Sequence, residues 1–129
     1  MNKILVEVSV GELLDKISIL EIKQEKIKDT ESIKFITDEY NVLKMELNKN
    51  IKTDEKLKKL FDSLKEINSK LWIIEDDKRM CEKNKDFGEK FIKLSRDVHF
   101  LNDNRAKIKL EINNHTGSKI KEIKEYTSY

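Results

Sequence analysis

FIKLSRDVHFLNDNRAKIKLEINN, residues 91–114, places apolar side chains at Phe91, Leu94, Val98, Leu101, Ile108 and Ile112. Steps of three and four residues put these on one face of an α-helix. The place between Leu101 and Ile108 is taken by Arg105, so a permanent cation stands in the core stripe. The adjacent stripe, Ile92, Ser95, His99, Asn102, Ala106, Lys109 and Asn113, is a polar ribbon. A helix of this length spans about 35 Å at about 1.5 Å per residue. What the ribbon faces is the question on which both fold and function turn.

Working outward, the chain has 129 residues, no Pro and three Gly, and apolar residues recur at helical spacing almost throughout. Long uninterrupted helices follow, and the length is that of one domain, residues 1–129. Ser9 stands three before Glu12, the spacing of a capping box. Leu13, Ile17, Leu20 and Ile27 then carry a first helix to about Lys28. Asp29-Thr30-Glu31 supplies a fresh cap for a second, on Ile33, Ile36, Tyr40, Leu43 and Leu47, to about Lys49. A third starts with Thr53 as candidate cap and runs along Leu57, Leu60, Leu64, Ile67, Leu71 and Ile74 until Asn84–Gly88 breaks the pattern. The opening stretch is the fourth, closed near Gly117 by a left-handed cap.

Short connections favour antiparallel neighbours. The expected fold is therefore all-α: an antiparallel bundle of about four helices, with a short extended N-terminal segment and a C-terminal tail. Ile4–Val10 is β-branched and mostly alternates, and a lone extended segment needs a partner. The tail or the same segment of a second copy would serve, the latter making a homodimer. Ile120, Ile123 and Tyr126 allow the tail to return to the bundle as a short helix or to fray.

Lys and Arg total 27 against 25 Asp and Glu. Interleaved charges of both signs do not point to nucleic acid. Six Lys or Arg from Arg105 to Lys124 meet only Glu111 and Glu122, a local excess that would attract a small anion or simply complement a helix end. The one cysteine, Cys81, excludes an internal disulfide and a cysteine metal cluster, and a reducing cytoplasm is the simplest home. No stretch reaches the roughly 18 apolar residues of a membrane span. His99 and His115 lack metal-ligand spacing, so no metal and no cofactor is expected. Phosphate loops, nucleophile elbows and dinucleotide fingerprints are missing.

Arg105 needs a carboxylate or an anionic ligand. Glu12 and Asp15 on the first helix and Glu75 and Asp76 on the third are the candidates. Trp72 with Glu75, Asp76 and Arg79, on LWIIEDDKR, forms a second dense cluster. There an indole would floor a pocket while carboxylates bind hydroxyls, or would simply be core. Two readings stay open. In one, Arg105, Asn102 and Lys109, facing Trp72, Glu75 and Arg79 and facing Asp15, Lys16 and Lys23, line a pocket for a small anionic or hydroxylated metabolite such as a phosphorylated sugar or nucleotide. Should chemistry occur there, Glu75 or Asp15 is the candidate base and Arg105 the anion holder. In the other, the same charges are a satisfied interhelical network in a homodimeric structural or interaction module.

The blocks VSVGELLDKISILEIK (8–23), LWIIEDDKR (71–79), FIKLSRDVHFLNDNRAKIKLEIN (91–113) and GSKIKEIKEY (117–126) resemble a family of small bacterial and phage proteins known as a domain of unknown function. The resemblance implies an all-α fold and no activity. It maps recurrent polar positions onto Glu12, Asp15, Lys16, Lys23, Glu75, Asp76, Arg79, Arg96, Asn102, Asp103, Arg105, Lys109, Asn113 and Lys124. Ile123 and Glu125 depart from the family's tail, and Phe100 stands where a Tyr is usual.

Overall fold

The computed structural model describes residues 2–129. Four helices follow in order, α1 (Val10–Lys26), α2 (Thr30–Asn50), α3 (Glu55–Lys83) and α4 (Glu89–Thr116), and no strand occurs among the described residues. The fold is an all-α helical bundle. Local chemistry starts each helix: the side chains of Ser9, Asp29 and Asp54 accept from the backbone N–H of Glu12, Ser32 and Leu57. Such caps satisfy donors that the helix itself leaves orphaned. Asp54, not Thr53, caps α3, because its carboxylate lies 2.8 Å from the Leu57 amide. α1 ends two residues before Lys28 and α4 begins two before Phe91, at Glu89. Gly117 closes α4 at φ 66°, a left-handed conformation that costs a side-chain-bearing residue more than Gly.

α3 and α4 form a long antiparallel hairpin. At one end His115 Nε2 lies 2.8 and 3.0 Å from the two Asp54 oxygens, and at the other the Lys78 ammonium sits over the Phe91 ring. α1 is the central helix, in contact with each of the other three, whereas α2 lies against α1 alone. Leu14 and Ile17 of α1, Leu47 of α2, Leu57 and Leu64 of α3 and Ile112 of α4 make the core. These positions gather at one end of the α3–α4 hairpin. Among residues 69–108 only Cys81 is buried, so Phe91, Leu94, Val98 and Leu101 face α3 but stay half-buried. The apolar stripe is continuous in sequence, but α1 covers only its last turns.

Residues 2–9 have no strand partner; Ile4, Leu5 and Val6 are 86, 82 and 75% exposed. The tail does not pair with them and forms no helix. It turns back along α4 instead: Ser118 Oγ accepts from the Val10 N–H, Glu122 bonds Lys109, and Tyr129 bonds Asp103 and rests edge-on against His99 and Phe100.

Candidate functional site

The polar ribbon of α4 meets α1, and the meeting is closed by protein. Arg105 takes Asp15 in a two-pronged grip, Nε donating to Oδ1 at 3.0 Å and Nη2 to Oδ2 at 2.5 Å. Planar guanidinium and carboxylate match in this arrangement, the stronger class of ion pair. Asn68 of α3 donates to Asp15 Oδ1 at 2.9 Å and to Ser18 Oγ at 2.8 Å, and the Ser18 hydroxyl donates in turn to the Asp15 backbone carbonyl at 2.8 Å. Lys109 Nζ completes the set, at 2.8 Å from Glu12, 2.9 Å from Glu122 and 4.0 Å from Asp15. Asp15, Ser18, Asn68 and Lys109 are all buried. A buried charge is tolerated only when paired and hydrogen-bonded, and each charge here is.

Electrostatics follow from this geometry. Burial pushes the Asp15 carboxyl up, but the hydrogen bonds from Arg105 and Asn68 and the charges of Arg105 and Lys109 outweigh it, leaving the pKa below the usual carboxylate range. Burial pushes Lys109 down, and its bonds to Glu12 and Glu122 more than reverse this. Asp15 is therefore a weak proton acceptor and its oxygens are already engaged, which unfits it for the role of base.

The first turn of α1 belongs to the same region. Gly11 N–H donates to Asn113 Oδ1 at 2.7 Å, Val10 N–H to Ser118 Oγ at 3.1 Å, and Glu12 N–H to Ser9 Oγ at 3.0 Å. Two of these acceptors come from the far end of the chain. Ser9 thus keeps its half of the capping box, while Glu12 gives its carboxylate to Lys109 rather than turning back to the cap.

A second feature is open. Between α1 and α3 runs a groove of about 390 Å³ walled by Ile19, Ile22, Leu71 and Trp72, with Glu75, Asp76 and Arg79 along it and Arg105 at its end. Glu75, Asp76 and Arg79 are exposed and form no ion pair or hydrogen bond among the described residues. Arg105 has five N–H donors. Two go to Asp15 and one reaches Asn102 at a long 3.4 Å, so part of the guanidinium stays available at the groove.

The residues expected to form one pocket are thereby divided. Trp72, Glu75, Arg79 and Arg105 share the groove, whereas Asp15, Asn102 and Lys109 belong to the closed network. Lys16 belongs to neither: one residue beyond Asp15 is about 100° around the helix, and its side chain is exposed. Lys23 is half-buried and lines none of the groove. Sequence reading passed over Gly11, Ser18 and Ser118. A Gly inside a helical pattern usually has a packing reason, the one signal that marked Gly11. Among the described residues no three His, Cys, Asp or Glu cluster as metal ligands, and no helix is long and apolar enough to cross a membrane.

No curated protein and no solved structure matches the chain. A family model does match, over residues 4–129, nearly the whole sequence. The chain belongs to DUF6165, a family of unknown function.

Proposed function

We propose that the protein binds a small phosphorylated, hydroxylated metabolite, a sugar phosphate or nucleotide, in the Trp72 groove. One observation carries this reading: Glu75, Asp76 and Arg79 stand beside an indole in a groove of about 390 Å³ with no described protein partner. That volume is within the roughly 300–1,000 Å³ of small-molecule sites. Arg79 and the free edge of Arg105 suit a phosphate or carboxylate, Glu75 and Asp76 accept from hydroxyls, and the Trp72 face takes a ring. The buried network fixes the helices that carry these groups. The free thiol of Cys81 fits a reducing cytoplasm as the setting.

Trp72 is the only tryptophan, so its emission reports this groove alone. Titration with a panel of sugar phosphates and nucleotides is expected to shift that emission for at least one member. Arg79→Met should then weaken binding by tenfold or more with the melting temperature unchanged, because Arg79 has no structural partner to lose. No emission change at millimolar concentration across the panel would remove the proposal. Arg105 is the poorer probe, since its loss also strips Asp15.

The exposed apolar run Ile4, Leu5 and Val6 favours a second reading, an interaction module in which this segment pairs with its equivalent in another copy. Sedimentation should then give a dimer for the full chain and a monomer for one lacking residues 1–7. Equal masses for the two would dispose of the arm-mediated dimer.

A further inference from the structure

Along α4 the returning tail roofs a second cavity, of about 250 Å³, that shares no lining residue with the Trp72 groove. Its cationic lining is Lys107, Lys109 and Lys124, against Asp103 and Glu122. Asn113 lines it as well, 1% exposed, and its Nδ2 is the one buried side-chain polar atom among the described residues without a hydrogen-bond partner. The Asn113 Oδ1 is committed to the Gly11 N–H, so the amide cannot be turned over to relieve the other end. A buried donor with no acceptor costs about 1–3 kcal/mol, and native proteins rarely leave one unmatched. Something bearing an acceptor oxygen belongs beside it. Lys107 has no described partner, and Lys124 reaches only Glu122, at 3.5 Å. Ala106, Leu110 and the Tyr126 ring supply apolar wall.

We infer that this cavity is a binding site for a small organic anion, a carboxylate or phosphate on a short body, distinct from the Trp72 groove. Its oxygens accept from Asn113 Nδ2 and pair with Lys107 and Lys124, while the body rests on Leu110 and Tyr126. The roof is the tail itself, so occupancy and tail docking are linked: Glu122 holds the tail to α4 through Lys109, and Glu122 and Lys124 form the site's outer wall. Water is the competing occupant, because a single water also supplies an acceptor.

Two reporters separate this site from the groove. In a ¹⁵N-labelled full chain the Asn113 side-chain amide reads the cavity and the Trp72 indole N–H reads the groove. Titration with pyruvate and, separately, with inorganic phosphate is expected to move the Asn113 amide saturably in the millimolar range or below, leaving Trp72 in place. Lys124→Glu, which reverses one charge of the outer wall, should weaken that response at least tenfold while the rest of the spectrum stays folded. If neither probe moves the Asn113 amide, or if Lys124→Glu leaves the response unchanged, the cavity is a water site and the inference falls. A shift of Trp72 alone would bear on the groove and count against the cavity.

Discussion

Asp15→Ala is expected to lower the unfolding free energy by about 3–5 kcal/mol, the usual cost of removing one partner of a buried ion pair. The substitution deprives Arg105 of both its short bonds, leaves Asn68 Nδ2 with Ser18 alone, and takes the third carboxylate from the neighbourhood of Lys109. Most of the loss comes from groups left unpaired, not from the pair's net worth. The double variant Asp15→Leu with Arg105→Met should therefore be more stable than Asp15→Ala, since an apolar pair of similar volume replaces the charges without stranding either. Urea denaturation of Asp15→Leu, Arg105→Met and their double gives the coupling directly. Strict additivity would mean that the two residues do not depend on each other.

The same carboxylate sets part of the acid limit. Its folded pKa lies below the unfolded value of about 3.9. Stability from Asp15 is thus fully present above that unfolded pKa and is lost as pH falls from about 4 through the lower folded pKa. Asp15→Asn keeps the shape and removes the titration, so its stability should fall less steeply across that acid window than that of the wild-type chain, from a lower plateau at neutrality.

How much of this was legible in the sequence varies by kind of interaction. Helix number and the caps at Ser9 and Asp29 came from local patterns, because a cap is made by residues three apart, as Asp29 and Ser32 are, whereas at α3 the cap is Asp54, one residue on from the expected Thr53. Arg105 also declared itself: a cation in an apolar stripe has to be met by an anion, and Asp15 was one of four candidates. Choosing among the four needed the crossing of α1 over α4, which periodicity does not encode. The same holds for Asn68, which follows Ile67 of the α3 stripe but whose reach to Asp15 and Ser18 no local pattern shows. The expectation of one broad pocket failed for a geometric reason. Asp15 and Lys109 stand 4.0 Å apart, too close to admit a ligand between them, and the groove is walled instead by Ile19 and Ile22 of α1 and Leu71 and Trp72 of α3.

Gly11→Ala tests that close contact. In the first turn of a helix the change would ordinarily gain up to about 1 kcal/mol, because Gly is the poorer helix former. Here a Cβ on residue 11 would stand 2.6 Å from the Lys109 carbonyl oxygen and 3.0 Å from Asn113 Oδ1. The first is backbone in the middle of α4 and cannot swing aside, so the two helices must separate. Separation lengthens the Gly11 N–H to Asn113 bond at 2.7 Å, the Val10 N–H to Ser118 bond at 3.1 Å and the Lys109 to Glu12 pair at 2.8 Å together. Overpacking costs about 1–3 kcal/mol and the weakened cap about 1 kcal/mol more, so after the propensity gain of up to about 1 kcal/mol a net destabilisation of about 1–4 kcal/mol is expected. Gly88→Ala is the control: its Cβ would meet only Asp86 Oδ1, at 3.5 Å, an ordinary contact. Gly88 is the α4 N-cap, so its change costs the preference of that position for Gly over Ala, under about 1 kcal/mol, and urea midpoints should place Gly88→Ala slightly below wild type and Gly11→Ala below both. A neutral or stabilising Gly11→Ala would mean that α1 and α4 are not held at this distance, and with that the registration of Asp15 on Arg105 would lose its cause.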